Sequence, residues 1–301
     1  MQRRIFWYEF LLLWGIAVAS TMLGLLLTRF PAESLVTQLY IPFHSRSSAA
    51  VSIALTVQIG IQLAVATGVG LWAAHRIGLG APVLEDWLQK KPVSRQLRPL
   101  LLPVILIALL VSVVSNLSDL SVFHPNRKQR TAELVAFLQT PEGLKLQQQI
   151  EKLEPPPRRM TASAETLFYT ESTVTSGIYD QLFMVSVFVL LLLQIRRVRP
   201  SSPDTKLLWA AIIIVTAVRA VNLIMQQSTP SQIDQIMLAN LPTHRDPGWL
   251  VAARGLLRMV PSSLALGWLY VRYGIEAVML ASFVGALLGY LLLTHVFVHF
   301  V

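Results

Sequence analysis

The chain has 301 residues, of which 54% are hydrophobic and 14% charged, and its mean hydropathy is +0.57. Because soluble domains carry about 25% charged residues, this composition excludes a soluble globular domain and indicates an integral membrane protein. The net charge of +9 does not indicate nucleic-acid binding, since the Lys and Arg residues lie in short segments between apolar runs. The absence of cysteine excludes disulfides, thiolate metal ligands and a cysteine nucleophile.

Seven apolar stretches are long enough to cross a bilayer. They lie at about residues 6–28, 49–74, 98–118, 177–195, 206–226, 248–271 and 274–299. The sequence therefore predicts an all-α fold, a polytopic transmembrane bundle of about seven spans with short amphipathic helices at the interface. No internal repeat or second domain is evident, so residues 1–301 are expected to form one integral membrane domain. Residues 1–77 supply its N-terminal spans and residues 78–295 its core.

The basic residues predict the orientation of these spans. They fall on one side of the membrane if the N-terminus is cytoplasmic and the C-terminus lies outside, and they are Arg3, Arg4, Arg76, Lys90, Lys91, Arg95, Arg98, Arg196, Arg197, Arg199, Lys206 and Arg272. The connection 119–175 is also basic, but long loops carry little weight in this rule. The expected location is the cell (inner) membrane, with lipid as one partner and its anionic headgroups facing the basic side.

Three local patterns add detail to the bundle. The stretch 78–92, GLGAPVLEDWLQKKP, begins with breakers and then turns amphipathic, which predicts a short surface helix. Residues 131–154 predict an amphipathic helix that is interrupted at Pro141. The stretch 267–286, GWLYVRYGIEAVMLASFVGA, predicts a tight hairpin of two spans, with aromatic residues, Arg272 and Gly274 at its turn.

Polar residues inside the spans are expensive in hydrocarbon and therefore indicate function or structural pairing. They are Asp180, Gln181, Arg219, Asn222, Arg254, Arg258, Glu276 and Ser282. The pairs Arg219 with Asn222 and Arg254 with Arg258 each share one helical face, since they are three and four residues apart.

The two arginines of the sixth span need partners or water. Each Arg at the centre of a span costs about 2.5–3.5 kcal/mol, and Asp180 and Glu276 are the carboxylates expected to reach Arg254 and Arg258. Two interpretations remain open: a buried ion-pair network that fixes the helix register, or a hydrated cavity between spans four to seven lined by Arg219 and these groups.

No pattern in the sequence predicts a metal or cofactor. His295 and His299 have the four-residue spacing of helical metal ligands, but no third ligand accompanies them, so they are interpreted as interfacial histidines. No Walker loop, GxSxG elbow or dinucleotide fingerprint is present.

Three segments carry a resemblance to a known family. The stretches GLGAPVLEDWL at 78–88, SGIYDQLFMV at 176–185 and GWLYVRYGIEAVMLASF at 267–283 resemble the CPBP (Abi) family of intramembrane endopeptidases, the type II CAAX prenyl protease group. The resemblance covers about residues 78–295, and GLGAP and GWLYVRYGIEAVMLA are its strongest parts. It implies a helical membrane fold in which an EExxxR motif, an FxxxH motif and a late His activate water for attack on a peptide bond.

The family's working positions are altered in this chain. The paired glutamates fall on Asp180 and Gln181, the histidine of the second motif falls on Asn222, and the late histidine falls on Ser282. Gln181, Asn222 and Ser282 do not titrate near neutral pH, so no imidazole replaces those of the family. Each lost acid–base group typically costs 10²–10⁴ in rate.

The resemblance and its departures give two functional hypotheses. The first is a pseudoprotease that retains the scaffold and binds a hydrophobic or prenylated peptide, or a partner membrane protein, without cleaving it. The second is an active CAAX-type endopeptidase of membrane-associated peptides with Asp180 as the base. The substitutions favour the first.

Overall fold

The computed structural model describes residues 2–28, 48–117, 127–145, 148, 177–196, 205–228 and 248–295. Within these ranges the chain is helical and contains no strand, which confirms the all-α prediction. The helices are α1 (Gln2–Thr28), α2 (Ser48–Arg76), α3 (Pro82–Leu88), α4 (Ser94–Leu117), α5 (Arg127–Leu138), α6 (Ile178–Ile195), α7 (Thr205–Ser228), α8 (Gly248–Tyr273) and α9 (Ile275–His295).

Five of these helices are long and apolar enough to cross a membrane. The qualifying segments are Val57–Arg76, Gln96–Val114, Ile178–Ile195, Thr205–Met225 and Gly248–Tyr273. Two shorter apolar segments, Ile5–Thr21 and Ile275–Gly289, lie in α1 and α9. Each predicted span thus overlaps a helix in its described residues, and the length and apolar character of five of these helices support an integral membrane protein.

The hairpin of α8 and α9 turns at a single residue. Gly274 separates the two helices and adopts φ +90°, a left-handed conformation that favours glycine. Its N–H donates to the carbonyl of Tyr270 at 2.8 Å, which ends α8. The predicted tight turn between two helices is confirmed, and α8 continues through Arg272 to Tyr273, so that the turn is one residue long.

The hairpin turn packs against the segment that precedes α3. A Cβ added at Gly274 would lie 2.5 Å from Pro82 Cδ and 2.8 Å from the Gly80 carbonyl oxygen. The Leu84 N–H of α3 donates to Glu276 Oε1 at 2.9 Å. The two segments that carry most of the family resemblance, far apart in sequence, are therefore in direct contact, and the predicted short helix is confirmed as α3.

Helix α6 begins with a π-helical segment, Ile178–Val185, and continues as a regular α-helix over Ser186–Ile195. A Cβ at Gly70 of α2 would lie only 2.8 Å from the Leu182 carbonyl oxygen. The glycine therefore lets the α2 backbone approach the π-helical segment closely, the role of small residues between membrane helices. Such π-helical segments are rare and occur frequently at functional sites.

The predicted interruption at Pro141 is confirmed. Helix α5 ends at Leu138, and the chain resumes helical structure at Pro141. The Gly143 N–H donates to Thr140 Oγ1 at 3.1 Å, so Thr140 caps the new helical turn. The rest of the predicted helix, apart from residue 148, lies outside the described residues.

Candidate functional site

Asp180 and Arg219 form an ion pair, called the Asp180 pair below. The Asp180 carboxylate belongs to the π-helical segment of α6, and its Oδ2 lies 2.9 Å from Arg219 Nη1 on α7. The Asp180 side chain is 14% exposed and the Arg219 side chain 31% exposed. Each charge therefore has a partner at hydrogen-bond distance in an apolar region, where an unpaired charge is costly.

The neighbouring Gln181 is buried among α6, α7 and α8. It is 1% exposed, and its Oε1 atom has no hydrogen-bond partner. A Cβ added at Gly267 would lie 3.3 Å from that oxygen and 2.7 Å from Ile212, so the glycine allows α8 to approach Gln181 and α7. An amide can accept or donate a hydrogen bond here, but it cannot take up a proton near neutral pH.

Asn222 and Ser282, which the resemblance aligns with the histidines of the CPBP family, lie in different environments. Asn222 is exposed on α7, whereas Ser282 on α9 is 4% exposed. Within the described residues, hydrogen bonds and ion pairs join Asp180 to Arg219 but join neither of them to Asn222 or Ser282. The polar groups at these aligned positions are thus not linked into one network in the part of the chain that the structure describes.

The predicted partners of Arg254 and Arg258 interact with other groups. Asp180 pairs with Arg219, and Glu276 binds the backbone of α3. Arg254 is half-buried on α8, whereas Arg258 is exposed, with its carbonyl accepting from Ser262 Oγ at 2.9 Å. The structure therefore distributes the expected polar residues over two regions, with Arg219 beside Asp180 and Glu276 beside the hairpin turn.

A second group of ionisable residues, called the Glu9 cluster below, consists of Glu9, His75 and Glu85. His75 Nε2 lies 2.6 Å from Glu9 Oε2, and His75 Nδ1 lies 3.7 Å from Glu85 Oε1. One potential ligand atom from each residue can be chosen so that all three lie within 4.8 Å of one another. The cluster joins α1, α2 and α3 at the end of the bundle that contains the hairpin turn.

The Glu9 cluster carries an excess of carboxylate. The Glu9 side chain is fully buried, and its Oε1 has no hydrogen-bond partner. Burial raises the pKa of Glu85, and the Glu9 carboxylate nearby raises that pKa further, against the opposing effect of His75. Among the side chains that the structure describes, no lysine or arginine forms an ion pair with Glu9 or Glu85.

A cavity of about 290 Å³ adjoins the Glu9 cluster. His75 and Glu85 contribute to its wall, together with the segment Gly78–Pro82 and the hairpin residues from Val271 to Gly274. The cavity thus lies between the two segments that resemble the CPBP family, at the hairpin turn and beside the side chains of the Glu9 cluster.

The sequence analysis did not identify the Glu9 cluster, although part of its signal was present. Glu9 is an ionisable residue within the first predicted apolar span, and His75 directly follows the second, so the criterion applied to the later spans also selects Glu9. Glu85 gives no such signal, because it lies in an amphipathic surface segment. The tight turn of residues 77–81 folds α3 back against the end of α2 and brings Glu85 to His75.

The described part of the chain is therefore that of a helical protein with five helices suited to a membrane. Its bundle contains two regions of ionisable side chains, the Asp180 pair and the Glu9 cluster. No protein-family model, curated protein or solved structure matches this chain.

Proposed function

We propose that the chain is a seven-span pseudoprotease, a member of the CPBP family that binds a hydrophobic peptide or a partner membrane helix without cleaving it. On this proposal α1 and α9 also cross the membrane, with the N-terminus in the cytoplasm and the protein in the cell membrane. The length of α1, 27 residues, and that of α9, 21 residues, suit a bilayer of about 30 Å.

The Asp180 pair is the observation that carries this proposal. Of the four positions that correspond to the family's acid–base groups, Asp180 alone has a carboxylate, and Arg219 Nη1 lies 2.9 Å from it. Asp180 Oδ2 is thus engaged in an ion pair with a guanidinium, in place of the second carboxylate and the imidazoles that the family's mechanism implies. With Gln181 buried and Asn222 exposed, no second titratable group assists it at these positions.

A cleavage assay separates this proposal from an active endopeptidase. The purified full-length protein in lipid nanodiscs is incubated with quenched fluorescent peptides, both farnesylated and unmodified, beside an Asp180→Asn variant. We expect the two proteins to give the same background rate. Cleavage by the wild-type protein that the substitution abolishes would instead establish an Asp180-dependent protease.

Binding is tested by placing a photoreactive side chain on α7. Asn222 is exposed on the same helix as Arg219, and Trp209, also exposed, lies about three and a half turns earlier as a matched control position. A farnesylated peptide should cross-link to position 222 and not to position 209. Equal labelling at both positions would indicate partition onto apolar surface, and absence of labelling would contradict peptide binding at this face.

A further inference from the structure

We propose that the Glu9 cluster is a binding site for one divalent transition-metal ion, with Glu9, His75 and Glu85 as its protein ligands. The proposal does not depend on the pseudoprotease assignment, because none of the three residues corresponds to a catalytic position of the CPBP family. Its basis is the geometry of the three side chains, the unpartnered oxygen of Glu9 and the adjacent cavity.

To hold a metal ion the cluster must rearrange, because Glu9 and Glu85 face different nitrogens of the His75 ring and one ion binds only one of these nitrogens. Zinc binds imidazole nitrogen and carboxylate oxygen at about 2.0–2.2 Å, which places neighbouring ligand atoms of a tetrahedral site about 3.4 Å apart. Ligand atoms of the three residues already lie within 4.8 Å of one another. The His75 Nε2 to Glu9 Oε2 separation of 2.6 Å would increase slightly as the ion replaces the shared hydrogen bond.

A hydrogen-bonded cluster without a metal leaves polar groups unsatisfied. The distance of 3.7 Å between His75 Nδ1 and Glu85 Oε1 is too long for a hydrogen bond. Glu9 Oε1 is buried and has no partner, which is costly for a charged oxygen. A single imidazolium therefore satisfies one of two carboxylates well, whereas a divalent cation beside a neutral imidazole balances both.

The nearby basic side chains in the described ranges form no ion pair with the Glu9 cluster. The Arg76 guanidinium lies over the Trp72 ring, with its central carbon 5.3 Å from the ring centroid. Lys91 Nζ lies 3.8 Å from Asp86 Oδ1. Both cations are close in sequence to the Glu9 cluster but interact with other partners.

The donor set and the cavity indicate the class of ion. Imidazole nitrogen favours zinc and its first-row neighbours over Mg²⁺ and Ca²⁺, which prefer all-oxygen sites. Three protein ligands leave one tetrahedral position for water. Because His75 and Glu85 line the cavity of about 290 Å³, that water would lie at the cavity wall.

The test measures Zn²⁺ binding to the full-length, tag-free protein in detergent, by titration against a fluorescent chelator. We expect one Zn²⁺ per chain that about a hundredfold excess of Mg²⁺ does not displace. Glu85→Gln should lower the affinity at least tenfold, because even residues that only support metal ligands contribute 10–100-fold. Asp86→Asn is the matched control, since it removes the next carboxylate of α3 and should leave the affinity unchanged.

Glu85→Gln is nearly isosteric at a side chain that is 36% exposed, so folding should be retained and is checked by gel filtration. His75→Ala is expected to abolish binding. X-ray absorption of the wild-type complex should show nitrogen and oxygen neighbours at about 2.0–2.2 Å with imidazole scattering. Much less than one ion per chain, or equal affinities for Glu85→Gln and Asp86→Asn, would overturn the proposal.

Discussion

The Asp180 pair and the Glu9 cluster both place carboxylates within the helix bundle, and they balance the charge differently. In the Asp180 pair, one carboxylate meets one guanidinium at 2.9 Å. In the Glu9 cluster, two carboxylates share one imidazole, and a fully buried oxygen has no partner. Buried charge alone therefore does not identify a ligand site. An excess of carboxylate beside a cavity distinguishes the Glu9 cluster from the Asp180 pair.

Breaking the Asp180 pair should have the largest effect on stability. Asp180→Ala leaves Arg219 without its partner, and removal of one partner from a fully buried pair costs about 3–5 kcal/mol. Because Arg219 is 31% exposed, we expect a smaller loss of about 2–3 kcal/mol in the free energy of unfolding. Unfolding by SDS in mixed micelles measures it.

The control for this prediction replaces both charges with apolar side chains, Asp180→Leu with Arg219→Met. Well-packed apolar residues often replace a buried ion pair without loss of stability, so the double variant should recover most of the wild-type value. A double variant as unstable as Asp180→Ala would show that the pair is not an isolated unit.

The hairpin turn beside the Glu9 cluster is the next most sensitive position. Gly274→Ala forces a side chain into φ +90° and within 3 Å of Pro82 and Gly80, which should cost about 1–3 kcal/mol of unfolding free energy. It should also weaken Zn²⁺ binding by moving α3, while leaving the Asp180 pair intact. Gly60→Ala is the control, because a Cβ there meets nothing within 4 Å; equal stability of the two variants would contradict the close contact.

A smaller effect is expected where the two regions are linked. Ser186 follows the π-helical segment that contains Asp180, and its Oγ is hydrogen-bonded to the hydroxyl of the fully buried Tyr270, one turn before Gly274. Ser186→Ala leaves that hydroxyl unsatisfied and should cost about 1–2 kcal/mol. The double variant Ser186→Ala with Tyr270→Phe should recover most of this loss in unfolding free energy in the same SDS titration. If the losses of the two single variants simply add in the double variant, the hydrogen bond between the two hydroxyls contributes nothing.

Sequence analysis predicted the helices well because apolar length and turn chemistry are local signals. The hairpin at Gly274, the short helix after Gly80 and the interruption at Pro141 were all predicted from nearby residues. The pairing of Asp180 with Arg219 was not predicted. The sequence analysis instead expected Asp180 and Glu276 to reach Arg254 and Arg258, and spacing within one helix does not determine which residues of two different helices meet. Only the packing of α6 against α7 selects one partner.

The assembly of the Glu9 cluster from three helices could not be predicted from the sequence for a related reason. Its members come from α1, α2 and α3, and Glu9 and His75 are 66 residues apart. Spacing rules such as the four-residue interval of His295 and His299 favour ligands on one helix. The side chain of His295 and the whole of His299 lie outside the described part of the chain, so that interpretation stays a prediction.

The separation of Glu9 from His75 has a consequence for biogenesis. Helix α1 leaves the ribosome before α2, and translation at about 5–20 residues per second supplies His75 roughly 3–13 s after Glu9. During this interval the Glu9 carboxylate has no imidazole to meet it, and a lone acidic group opposes entry of a nascent helix into lipid. Helix α1 is therefore expected to await α2 at the translocon and to enter the bilayer together with it.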